Sequence, residues 1–116
     1  MDICFEGIGQ VVATFRTEDK TLAAGMAVAL TGNGEVGRGE GGEPLCGVTV
    51  GTARGGAVAV QIGGAVKMGY SGNEPGTGWQ KLACDGKGKV TADGGDGMSC
   101  LVLAVDKDER SVAVRL

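Results

Sequence analysis

The stretch Leu45-Cys46-Gly47-Val48-Thr49-Val50-Gly51-Thr52-Ala53-Arg54-Gly55-Gly56-Ala57-Val58-Ala59-Val60-Gln61-Ile62 decides the fold. Cys46, Val48 and Val50 alternate on one side of the Arg54-Gly55-Gly56 turn, and Val58, Val60 and Ile62 do so on the other. Side chains on a strand point to opposite faces with a period of two. Each trio therefore shares a face, and the two trios are cross-strand candidates for a core. The glycine pair tolerates the positive backbone angles that tight hairpins need.

Working outward, an offset of 54 residues lays the second half of the chain on this stretch and what precedes it. The match runs ungapped from about 24–62 onto 78–116. It pairs Ala29 with Ala83, Gly32 with Gly86, Gly34 with Gly88, Val36 with Val90, Gly41 with Gly95, Cys46 with Cys100 and Val48 with Val102. The triplet Val58-Ala59-Val60 meets Val112-Ala113-Val114. These identities fall at turns and inward strand positions, so they read as a duplication.

Each copy starts with an alternating run that ends at a glycine turn, Gly32-Asn33-Gly34 or Asp85-Gly86-Lys87-Gly88. An acidic glycine loop follows, Glu40 to Pro44 or 93–97, and then the hydrophobic hairpin. In the second hairpin Leu101, Leu103 and Val105 alternate with Cys100 and Val102, so that strand is apolar on both sides and is either central or covered by a partner. Outside the copies stand an N-terminal arm, 1–22, with a strand at Gln10 to Arg16, and a connector, 63–77, with a strand at Ala65 to Tyr70. No window holds helical periodicity over the ten or more residues a helix requires. The expectation is one all-β domain, 1–116, a small glycine-rich barrel or clip-like sandwich of two tandem hairpin repeats.

Composition agrees, with 42% apolar residues but only 3% aromatic among 116, so small and β-branched side chains must build the core. The net charge of -3 without a basic run argues against nucleic acid or an anionic membrane as direct partners. Met1 to Gly7 carries acids where a signal peptide needs bases, and no apolar stretch is long enough for a spanning helix, so synthesis in the cytosol is expected.

The chemistry of active sites is thin. There is no histidine, the usual proton shuttle and the partner of Ser or Cys nucleophiles. Cys4, Cys46, Cys84 and Cys100 form no close pair of the kind zinc sites use, and read as reduced, mostly buried thiols. Gly32 to Gly37 spells a dinucleotide-binding GxGxxG, but no helix follows to receive a phosphate. Asp106-Lys107-Asp108-Glu109 and 93–97 offer oxygen atoms, yet lack a calcium-loop pattern and read as surface turns. No catalytic residue, metal ligand or cofactor is expected. Trp79, at the start of the second copy, is either a core anchor or a contact between subunits, since aromatics concentrate at interface hot spots.

The order of features resembles that of the small decoration proteins of tailed-phage heads, a partly prophage-encoded family. It has an N-terminal arm, a Leu-x-x-Gly-like start at Leu22-Ala23-Ala24-Gly25 and glycine-valine strands at Cys46-Gly47-Val48 and Gly64-Ala65-Val66-Lys67-Met68. Its last strand is valine-rich, Ser111 to Leu116. The resemblance implies a non-enzymatic protein, made in the bacterial cytoplasm, that binds the major capsid protein on the outside of the virion as a homotrimer and strengthens the shell. The candidate partner surface is Phe5, Phe15, Tyr70, Trp79, Leu101 and Leu103, with the arm as a further contact. Another virion or surface β-module, from a tail or an adhesin, is the alternative. Ala65-Val66-Lys67-Met68 also resembles the lysine-methionine tip of biotin carrier domains, which would make Lys67 the modified residue.

Overall fold

The computed structural model describes residues 10–92 and 97–116. Its strands are β1 (Val11–Arg16), β2 (Ala27–Gly32), β3 (Glu35–Gly37), β4 (Gly47–Thr49), β5 (Ala57–Gly63), β6 (Ala65–Gly69), β7 (Gly78–Cys84), β8 (Val90–Thr91), β9 (Met98–Asp106) and β10 (Ser111–Arg115). No helix occurs among the described residues, and the chain is all-β.

The first five strands close into a barrel in the order β1-β3-β2-β4-β5. The hairpin read from the sequence is its β4-β5 arm. Arg54 and Ala57 exchange two backbone hydrogen bonds of 2.8 and 2.9 Å around Gly55 and Gly56, whose φ angles are +56° and +77°. Two left-handed residues in a two-residue loop match the right-handed twist of the strands, and glycine adopts them without a Cβ penalty.

The last five strands form a sheet in the order β6-β10-β9-β7-β8, and a parallel bridge from Tyr70 to Val90 brings its outer strands together. The barrel makes the same parallel contact between Arg16 and Glu35. With β6 set on β1 and β10 on β5, the two orders coincide. The repeated strand pattern thus takes in β1 from the arm and β6 from the connector, each antiparallel to the last strand of its set.

Two apolar clusters hold the chain together. Leu22, Val28, Val36, Val58 and Val60 fill the barrel, with Phe15, Met26, Cys46 and Ala53 around them. The second cluster gathers Leu82, Cys84, Val90, Cys100, Val102, Val112 and Val114 with Met68 and Tyr70. It also takes Ala27, Ala29, Leu45 and Val48 from the outside of the barrel. The alternation along β2 explains this, since Val28 points inward while Ala27 and Ala29 point at the other sheet. Each fully buried valine or leucine contributes about 1.5–3 kcal/mol over leaving it in water.

A strip of backbone completes the joint. Gly42 N–H donates to Cys84 O and Cys84 N–H donates to Glu43 O, both at 2.8 Å, and Pro44 bridges to Ala83. The acidic glycine loop of the first unit thereby adds a short strand to the edge of β7.

Three expectations need correction. The two trios do not meet across the strands: Val48 faces Gln61 and Thr49 faces Val60, so Val48 lies outside the barrel while Val58 and Val60 fill it, and Val50 and Ile62 are 39% and 38% exposed. Ile62 falls where the register between β1 and β5 slips, Val11 facing Gly63 while Val12 faces Gln61. In β9 the pairing with β10 shifts between Ala113 and Val114, so Ala113 faces Ala104 and Val114 faces Val102. That extra residue carries Val105 to the core side opposite Val112, off the face of Leu101 and Leu103. Finally, the strand expected at Gln10 to Arg16 is present as β1, but it belongs to the first repeated unit, whose barrel it closes, rather than standing outside it. β9 itself is central, between β10 and β7.

Candidate interaction surface

The outer face of the second sheet carries a row of residues in direct register, Trp79 on β7, Leu101 on β9, Arg115 on β10 and Ala65 on β6. Residues paired directly across strands share a face, so these side chains stand together. Trp79 is 64% exposed, the most exposed of the large apolar side chains among the described residues, and the Arg115 guanidinium lies 5.8 Å from its ring centre. Leu101 between them is half-buried, as is Leu103 at the bulge. Trp79 is therefore no core anchor. The pairing explains why, since Gly78, Gln80 and Leu82 stand opposite Val102, Cys100 and Met98 on the core side of the sheet, so Trp79, between them in sequence, points to the other face with Leu101.

A second apolar area lies on the barrel, where Val11, Val12, Val50 and Ile62 are exposed near the passage from β5 to β6. Gln61 is buried among them. Its amide nitrogen donates to Gly63 O at 2.9 Å and Ala65 O at 3.1 Å, and its oxygen accepts from the Gln10 side chain at 3.3 Å. This amide fixes the tight Gly63-Gly64 link, so the barrel and the second sheet are held at a set distance. A groove of about 360 Å³ runs beside it, lined by Gln10, Val48, Val50, Gln61, Val66 and Lys67.

The remaining predicted surface residues lie elsewhere. Tyr70 is buried in the second cluster, with the Arg110 guanidinium 4.9 Å over its ring. Phe15 is half-buried against the barrel filling. Phe5 lies outside the described residues. Sequence reading missed Val11, Val12, Val50, Ile62 and Leu30, because alternation assigns a face but not the point along a strand where cover ends. Lys67 lies mid-strand opposite Ala113, with its ammonium 3.0 Å from Glu109, rather than at a hairpin tip.

The ionisable groups serve the turns. Hydrogen bonds from the Thr21 side chain and backbone hold Asp19 below the ordinary carboxylate value, helped by Arg38 at 2.7 Å. For Glu43, backbone N–H groups of its own loop, Glu40 first, do the same. Burial pushes all three described thiols up, Cys84 to about 12 and Cys100 to about 11, so they stay protonated near neutral pH. Among the described residues no three His, Cys, Asp or Glu side chains gather as a metal site would need. The exposed chemistry is an aromatic ring, a guanidinium and branched aliphatics on a rigid sheet, which is the chemistry of protein contact. No protein-family model and no curated protein matches the chain.

Proposed function

We propose that this chain is a structural protein that binds the outside of a phage capsid as a homotrimer and stabilises the shell. The observation that carries the reading is Trp79, exposed on a sheet face beside Arg115. A tryptophan in water forgoes the largest apolar burial any side chain offers, and Trp and Arg are enriched where interfaces have their hot spots. The sheet beneath is central and doubly paired at β9, so the ring is presented with little ordering cost on binding. No reaction is required. Area buried across neighbouring capsid subunits, multiplied by trimer avidity, opposes their separation.

On this reading the chain is made in the bacterial cytoplasm and ends on the virion surface, with the major capsid protein as partner. The test is co-sedimentation of the purified protein with assembled shells of the major capsid protein encoded beside it. Saturable binding with a raised shell melting temperature is expected. Absence of binding to intact shells overturns the proposal. The arm contact is tested by deleting residues 2–9 only, because a deletion reaching residue 16 removes the strand that closes the barrel. Loss of shell binding with an unchanged melting temperature supports the contact, and unchanged binding removes it.

A further inference from the structure

Two exposed cations accompany Trp79 on the outer face of the second sheet. Arg115 reaches it across β9, and Lys81 lies two residues further along β7, so its side chain leaves the sheet on the same side. Neither is neutralised within the molecule. Among the described residues the ion pairs are Asp19 with Arg38, Glu109 with Lys67 and Glu74 with Lys107, and no carboxylate lies within ion-pair distance of Lys81 or Arg115. Across the strands Lys81 faces Ser99, and Arg115 faces Leu101 and Ala65. The chain as a whole carries a net charge of -3, so this cationic spot stands against an acidic background.

We infer that the polypeptide surface received by this face is acidic, with carboxylates that meet Arg115 and Lys81 beside an apolar group seated on Trp79. The inference rests on the reading above for the partner's identity, the capsid protein, and adds the chemistry of its contact. Any partner that covers Trp79 also takes the two cationic heads out of water, and a cation that loses water without gaining a counter-charge opposes binding. Leu101, Ala65 and Ser99 carry no charge to replace it. Trp79 therefore supplies the area, while Arg115 and Lys81 select carboxylates and reject a basic surface. Nucleic acid fits the face less well. Trp79 is the one exposed aromatic among the described residues, whereas single-stranded nucleic acid is held by a series of stacking rings.

The test needs no shell, so its failure is distinct from failure of the capsid reading. Trp79 is the only tryptophan of the chain, and its fluorescence reports contact at this face. Poly-L-glutamate should change that emission saturably, although the net charge of the protein repels it. The affinity should fall about tenfold or more in the double variant Lys81→Gln, Arg115→Gln, with circular dichroism confirming the fold. Added salt should weaken the wild-type complex in the same sense, and this measurement decides should the double variant not fold. No emission change with poly-L-glutamate, equal affinity in the folded double variant, or binding indifferent to salt overturns the inference. Tighter binding of single-stranded oligothymidine than of poly-L-glutamate overturns it in favour of nucleic acid. Salt-sensitive poly-L-glutamate binding by a protein that ignores assembled shells upholds the acidic partner and overturns the capsid reading alone.

Discussion

The Arg115 guanidinium lies 5.8 Å from the centre of the Trp79 ring, although the two strands that carry them are separated by β9 and paired only through Leu101. An exposed cation–π contact of this kind contributes about 0.5–1 kcal/mol. Trp79→Ala should therefore lower the melting temperature by no more than about 6 °C. On shells the same substitution should weaken binding by about 30-fold or more, the cost of removing a hot-spot aromatic. Parallel melting and co-sedimentation series check this. A large thermal loss without a binding loss would make Trp79 a structural residue.

Gly47 is the glycine whose replacement should cost most. A Cβ there would sit against the carbonyl oxygen of Gln61 and Cγ1 of Val60, on the side where β4 meets β5. Backbone cannot step aside as a flexible side-chain end can, so Gly47→Ala should destabilise by about 2–3 kcal/mol through overpacking. Gly51→Ala, with nothing within 4 Å of the added carbon, should stay within about 1 kcal/mol of wild type. Urea denaturation of the pair measures both, and equal midpoints would refute the steric account.

The turns and the duplication were legible in the sequence because they rest on local chemistry. Gly55-Gly56 can be read as a hairpin from composition alone, and Ala29 with Ala83 or Cys46 with Cys100 mark the same place in two copies. The membership of β1 and β6 in the repeated strand order was not legible. Val12 and Val66 are the one identity along them, since each strand fits a different filling, Phe15 in the barrel and Met68 in the second sheet. The surface was the least legible part. Trp79 reads as anchor or contact until the register is seen to put Gly78 and Gln80 opposite Val102 and Cys100 on the core side, and Trp79 on the other face. Val105 changes face through one extra residue opposite Ala113 and Val114, a bulge that no pattern of types announces.

Asp85 organises the second glycine turn. Burial works against its charge, yet the Lys87 N–H at 2.7 Å, the Ser71 hydroxyl at 2.8 Å and the Lys89 N–H at 3.1 Å outweigh it and hold the carboxyl below its ordinary value. A carboxyl whose folded value is depressed stabilises the fold above its unfolded value of 3.8, and that contribution disappears as the pH falls through the folded value. Asp85→Asn should cost about 1–2 kcal/mol at pH 7 and flatten the stability profile below pH 4. Denaturation midpoints at pH 7 and pH 3 provide the comparison, and an unchanged acid slope would remove Asp85 from the account.

Cys84 sets the alkaline limit in the opposite sense. Burial first, then the Glu43 and Asp85 carboxylates and Cys46, push its thiol from 9.0 to about 12. In the unfolded chain the thiol ionises from about pH 9, while in the fold it keeps its proton, so unfolding releases a proton between those two values. The stabilisation is fully present below pH 9 and is lost as the pH rises toward 12. Cys100, raised to about 11, adds to the decline. Cys84→Ala should lower stability modestly at pH 7, through a small cavity, and make the fall between pH 8.5 and pH 10.5 shallower than in wild type. Urea midpoints at those two values measure the slope, and thiol titration gives an independent reading. In the folded protein Cys84 and Cys100 should react with a thiol reagent only at the rate of unfolding, because both sulfurs lie in the cluster that joins the barrel to the second sheet. Fast labelling of either in folded protein would show that the joint opens far more readily than its buried backbone bonds at Gly42, Glu43 and Cys84 allow.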